Sequence, residues 1–183
     1  MCSAIAILMM MTVMMMKISA QGIEEMCKND PVVPCRKDLK DGPWYQLGDN
    51  RCMRAFFYTQ HLNFENAEIA CNKYNAAGFK GQLVSINNKK ELDKVMCAMY
   101  KVHPGKPHYW IGLKRLDQMF PFQPPQRIWT DGHVYDFRNW AGGQPNNYLQ
   151  RESCTEMNYW SWGLWNDEAC WSERPYMCQV RLY

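Results

Sequence analysis

Several signals that would assign a chemistry are missing from this chain. It has no GxSxG elbow, no HExxH pair and no phosphate-cradling glycine loop, so the common scaffolds for acyl transfer, zinc hydrolysis and nucleotide binding are excluded. Nowhere do five basic residues stand together, and the formal net charge of +3 is dispersed, which leaves no footprint for nucleic acid or an anionic membrane surface. CxxC and HxxxH pairs are absent, and His61, His103, His108 and His133 are scattered, so the cysteines do not read as zinc ligands. Without an Asn-X-Ser/Thr sequon, N-glycosylation is not expected. Only one long apolar run is present, Ala4 to Met16 broken at Thr12, and it falls short of the ~20 residues a membrane span needs.

That run ends near the small pair Ser19-Ala20 and reads as a signal peptide over residues 1–20, cleaved after Ala20. Cleavage removes Cys2 and leaves eight of the nine cysteines, at 27, 35, 52, 71, 97, 154, 170 and 178. An even set in a secreted, extracellular chain implies disulfides. The length of 183 residues suits one domain with its own core.

Residues 21–43 are polar and read as a short cysteine-containing extension that adds no core. From Trp44 the pattern becomes globular, with aromatic strand-like runs at Trp44-Tyr45 and from Arg54 to Tyr58. Asn63 can cap a helix to about Tyr74, with Phe64, Ala67, Ala70, Cys71 and Tyr74 at helical spacing and Glu65 in the first turn. Gln82 to Ile86 reads as a strand, and Lys89 to Tyr100 as a second helix with the apolar stripe Leu92, Val95, Met96 and Met99. Cys97 lies off that stripe and is left for a partner outside the core, either the extension or a second chain. His108 to Leu113 is a further strand, Pro121 to Gln126 a proline-rich loop, and Ile128 to Tyr135 a hairpin around Asp131-Gly132. Residues 139–158 are polar and rich in glycine and asparagine, too poor in apolar side chains for a core of their own, and so are the place to look for a site.

Ordered landmarks run through residues 44–180. They are Ala67 and Cys71 on the first helix, Leu83-Val84-Ser85-Ile86, Trp110-Ile111-Gly112-Leu113, Gln144-Pro145-Asn146, Cys154, Trp165-Asn166-Asp167, Cys170 and Cys178. In this order and spacing the chain resembles the C-type lectin family. The resemblance implies an α+β fold in which two helices flank small antiparallel sheets, with a long calcium-binding loop region and disulfide staples, over residues 44–183. It also implies the pairs Cys71–Cys178, Cys154–Cys170 and Cys35–Cys52, leaving Cys27 and Cys97 to each other or to a partner chain.

Calcium takes six to eight hard oxygen ligands. The resemblance assigns that role to Gln144, Asn146, Glu152, Asn166 and Asp167, with a cis proline at 145 turning the two flanking amides toward one ion. Two adjacent sugar hydroxyls would complete the shell while bonding the same amides and carboxylates. The family's accessory calcium site is not expected, because Asn147 and Ser153 stand where acids would be needed. Gln-Pro-Asn is a hybrid of the mannose-type Glu-Pro-Asn and the galactose-type Gln-Pro-Asp motifs. Tyr148, four residues after Gln144, stands where galactose binders place a ring against the sugar's apolar face, and it tips the reading to galactose or N-acetylgalactosamine, as in the snake-venom type. Trp129, Trp140, Trp160, Trp162 and Trp171 are read as loop core.

The expected function is therefore a secreted, calcium-dependent lectin for terminal sugars of glycoconjugates, not an enzyme. Glu152 and Asp167 ligated to calcium would stay ionised and supply no general acid. The alternatives are a mannose or fucose lectin, or a sugar-independent protein-binding module on the same fold. Shallow single sites gain avidity through linkage, so a homo-oligomer is expected, with a disulfide-linked dimer through Cys27 or Cys97 as its first form.

Overall fold

The computed structural model describes residues 22–36, 38–39, 41–76, 78–116 and 126–182. The signal segment and residues 121–125 of the proline-rich loop lie outside them.

Three α-helices are present among the described residues, α1 (residues 22–29), α2 (Phe64–Cys71) and α3 (Lys89–Val102), with a short 3-10 turn at Tyr148–Gln150. The Asn63 cap forms as expected, and α3 has an asparagine cap of the same kind. The Asn63 side chain accepts from the Asn66 N–H at the start of α2, and Asn88 accepts from Glu91 at the start of α3, which satisfies a backbone donor that each helix end would leave free.

The strands are β1 (Tyr45–Leu47), β2 (Arg51–Phe56), β3 (Asn75–Ala76), β4 (Phe79–Lys80), β5 (Gln82–Leu83), β6 (Tyr109–Arg115), β7 (Arg127–Trp129), β8 (Glu152–Met157), β9 (Trp165–Ala169) and β10 (Tyr176–Arg181). One mixed sheet runs β1-β2-β10-β6-β8-β9, with β5 on β10 and β7 on β6, while β3 and β4 form a separate pair. The β10–β6 pairing is parallel, so the small antiparallel sheets expected from the sequence are merged through one parallel contact. The α+β class holds.

Cys71–Cys178, Cys154–Cys170 and Cys35–Cys52 form as expected, and Cys27 pairs with Cys97. Of the two alternatives for Cys27 and Cys97, the bond to each other is the one seen within this chain. Nor is Cys97 outside the core: it is buried together with Leu92, Val95, Met96, Ala98 and Met99, because the extension covers the side of α3 that faces away from the sheet. The extension also contributes core, burying Ile23, Val32 and Leu39.

Two other expectations are corrected. The Asp131-Gly132 turn does not head a hairpin, since β7 pairs back onto β6 with Trp129 opposite Leu113. The reason lies in Asp131, whose carboxylate is drawn inward to Ser85, Gln179 and His133. Residues 152–157, within the segment judged too polar for a core, form β8 in the sheet with Cys154 to Met157 buried, because Thr155 and Glu156 find polar partners across the ladder.

Candidate functional site

The floor of the long loop is aromatic. Trp165, which opens β9, is fully buried and meets Trp129, Phe137 and Trp140 edge-on at 5.7, 5.9 and 5.8 Å. Backbone bonds from Ala141 N–H to Trp165 O (2.8 Å) and from Trp165 N–H to Asn139 O (2.9 Å) stitch residues 139–141 to that strand. The start of the loop is fixed by this seam, and the Gln144–Pro145 bond that follows is cis.

Beyond the proline, Asn147, Leu149 and Gln150 all have positive φ (47°, 52° and 58°), a conformation that side-chain-bearing residues adopt only when their surroundings hold them. The two acids supply that hold. Asp167 accepts from the Asn146 N–H with Oδ1 at 3.0 Å and from the Asn147 N–H with Oδ2 at 2.9 Å. Glu152 accepts from the Tyr148 N–H at 2.9 Å, and its own N–H donates to Asn147 Oδ1 at 3.2 Å. Asn146, Asn147, Tyr148, Glu152 and Asp167 thus belong to one hydrogen-bonded turn against the β8–β9 ladder, where Thr155 stands opposite Asp167, and Gln144 leads into it across the cis bond.

Asn166 is placed differently. Its Nδ2 donates to Glu156 at 3.0 Å, on the strand face opposite to that of Asp167. Glu156 is buried there and also receives His108 Nδ1 at 3.0 Å and Arg174 Nε at 2.8 Å. Burial would raise the Glu156 carboxyl, but His108 and Arg174 together bring it below its ordinary value. This cluster, absent from the sequence reading, braces the back of β9.

A second group missed from the sequence is Arg127 on β7. Its Nη2 donates to Asp167 Oδ2 at 3.0 Å, both side chains are buried, and its guanidinium lies 4.6 Å from the centre of the Trp140 ring. Burial lowers Arg127 from its ordinary value, opposed by the Asp167 charge. Burial also raises the Glu152 carboxyl, with the Tyr148 N–H acting against it.

The donor set suits a hard cation. Gln144 Oε1 is buried without a hydrogen-bond partner, the one amide oxygen of this kind among the described residues; the others are the Tyr109 phenol and the indole nitrogens of Trp129 and Trp165. An orphaned carbonyl oxygen two residues before backbone that Asp167 holds is an arrangement that an ion would satisfy. At the expected accessory positions, Asn147 Oδ1 is taken by Glu152 and Ser153 Oγ accepts from Arg115. Tyr148 is well exposed; of the five tryptophans read as loop core, Trp129, Trp140 and Trp162 pack there with Trp165, whereas Trp160 and Trp171 are exposed. Trp160 stands at a turn with φ 55° and its ring stacks on Tyr159.

The model of the Lectin C-type domain matches residues 60–180. The chain belongs to the C-type lectin family. Among its relatives, the C-type lectin Cal of Crotalus atrox is 29% identical over 132 residues, covering 72% of this chain and 90% of Cal. A C-type lectin galactose-binding isoform of Pseudechis porphyriacus is 29% identical over 132 residues, covering 71% of this chain and 77% of the relative. Among solved structures, the C-type lectin CEL-I of Cucumaria echinata aligns with a TM-score of 0.63 at 28% identity over 79% of this chain and 96% of CEL-I. Among the described residues no helix is long and apolar enough to cross a membrane.

Proposed function

We propose that the protein is a secreted lectin that binds a terminal galactose or N-acetylgalactosamine through one calcium ion held by Gln144, Asn146, Glu152, Asn166 and Asp167. The observation that carries this reading is the orphaned Gln144 Oε1, directly before a turn whose backbone is held by Asp167 and Glu152. Bound calcium would supply a charge on which two adjacent sugar hydroxyls complete the shell. The chain's own part is to orient the oxygens. Glu152 and Asp167 pin the backbone of residues 146–148, and the exposed Tyr148 ring offers an apolar face to the sugar.

Asn166 joins this set only when its side chain leaves Glu156, to which its Nδ2 is bonded in this structure. The accessory calcium site is absent on this reading, since Asn147 and Ser153 are engaged elsewhere. Domain limits of 1–20 for the signal, 21–43 for the extension and 44–183 for the recognition domain go with it. Avidity comes from a non-covalent homo-oligomer, because the eight cysteines of the described residues all pair within the chain.

Galactose is favoured over mannose or fucose by Tyr148 and by the galactose-binding relative. The test is passage of the mature protein over immobilised galactose and mannose with calcium, followed by a chelator. Retention on galactose and release by chelator support the reading, and retention on mannose alone rejects the role given to Tyr148. Passage through both columns leaves a protein-binding module on the same fold.

A further inference from the structure

Arg127 is the one feature of the loop that does not belong to a plain calcium site. It comes from β7, 40 residues before Asp167, and delivers a guanidinium to a carboxylate that is fully buried. Its stem and plane are fixed as well: the group packs on the Trp140 ring, and Nη1 reaches Thr155 Oγ1 at 3.4 Å, the residue opposite Asp167 on the ladder. Asp167 Oδ2 therefore carries two donors, Arg127 Nη2 and the Asn147 N–H, while Oδ1 carries the Asn146 N–H.

From this geometry we infer that Arg127 is a built-in counter-cation that sets the calcium affinity of the loop and holds its shape when calcium is low. The inference rests on the reading of the loop as a calcium site. A buried carboxylate without a cation is costly, and Arg127 removes that cost whether or not calcium is present. The same charge opposes a divalent ion that must share Asp167, since like charges a few ångströms apart repel strongly where water is excluded. Arginine suits the task because its guanidinium stays protonated and its planar fork can donate to Asp167 and Thr155 while stacking on an indole.

Two consequences separate this role from a merely structural one. Removing the charge tightens calcium binding, and it also makes the calcium-free protein less stable. An arginine that only packed against Trp140 would give the second effect without the first.

The test uses the mature protein with Arg127→Met, which keeps an apolar stem against Trp140, Arg127→Gln, which keeps a neutral donor toward Asp167, and Arg127→Lys, which keeps the charge. Calcium affinity is read by calorimetry, and the unfolding midpoint is read with calcium and with chelator. Met and Gln are expected to bind calcium at least about tenfold more tightly, the scale on which groups behind metal ligands act. The midpoint in chelator falls, so the gap between loaded and stripped protein widens, while Lys remains near the wild type. If Met and Gln, folded as judged by circular dichroism, bind calcium no more tightly than the wild type, the inference is overturned although the calcium reading stands. If the wild type and all three variants take up no calcium, the calcium reading itself fails, and the tuning role falls with it.

Discussion

Cys27 on α1 is bonded to Cys97 in the middle of α3, with their Cα atoms 5.3 Å apart. The bond closes 70 residues of sequence and turns what looks like a loose polar leader into a covered flank of the core, bringing Ile23 and Val32 down onto α3.

Replacing both cysteines by serine is expected to destabilise the domain by about 4 kcal/mol on the loop-entropy view of disulfides, measured by chemical denaturation. The unmodified protein should run as a single chain on a non-reducing gel. A covalent dimer that reducing agent converts to monomer would contradict the pairing.

Asp131 anchors a different seam. Its carboxylate, 2% exposed, receives Ser85 Oγ at 2.5 Å, Gln179 Nε2 at 2.5 Å and His133 Nδ1 at 2.7 Å. Asp131→Ala removes the acceptor these three donors share and is expected to cost about 3 kcal/mol by chemical denaturation.

The same carboxylate gives a pH dependence. Burial would raise it, but the bonds from Ser85 and from the backbone and side chain of His133 outweigh burial and bring it below its ordinary value. A carboxyl depressed in the folded state contributes stability that is fully present above the unfolded value of about 4 and is lost as pH falls through the folded one. Unfolding free energies of the wild type and of Asp131→Asn should therefore converge as pH is lowered from 6 toward 2.5. A constant difference across that range would count against the assignment.

Much of this frame was legible from sequence. The Asn63 cap, the apolar stripe on α3 and three disulfide pairs depend on local spacing or on ordered landmarks, and all are in place. What stayed hidden depends on partners distant in sequence. Arg127, Glu156 and His108 look like ordinary surface groups until the fold brings Arg127 to Asp167 and His108 to Glu156. Cys97 looked peripheral because helical periodicity reports one buried face, whereas α3 is covered on two. Trp160 shows the reverse: a large aromatic read as core lies outside because its backbone turns left-handed.

Gly112, from the Trp-Ile-Gly-Leu landmark, has a packing reason of its own. A Cβ there would stand 2.7 Å from Leu83 O and 2.9 Å from Thr130 Oγ1. Gly112→Ala is expected to cost about 1 to 3 kcal/mol through overpacking between β5 and the end of β7, and an unchanged unfolding midpoint would argue against so close an approach.

At the proposed site, Tyr148→Ala removes an exposed ring and no hydrogen-bonding side chain among the oxygens assigned to calcium. Galactose affinity is expected to fall by about 0.5 to 1.5 kcal/mol, up to roughly tenfold in Kd, with calcium affinity unchanged. Equal galactose binding by both proteins, measured by calorimetry, would remove Tyr148 from the site.

The most direct measurement is a crystal structure of the mature protein grown with calcium and galactose, with the ion located by its anomalous scattering. The expected result is one ion at about 2.3 to 2.6 Å from Gln144 Oε1 and from oxygens of Asn146, Glu152, Asn166 and Asp167, with two hydroxyls of one galactose on the same ion and its apolar face against Tyr148. A sugar bound away from the ion, or a loop that takes up no calcium while Gln144 Oε1 stays unpartnered, would contradict the proposal that ion and sugar are bound together.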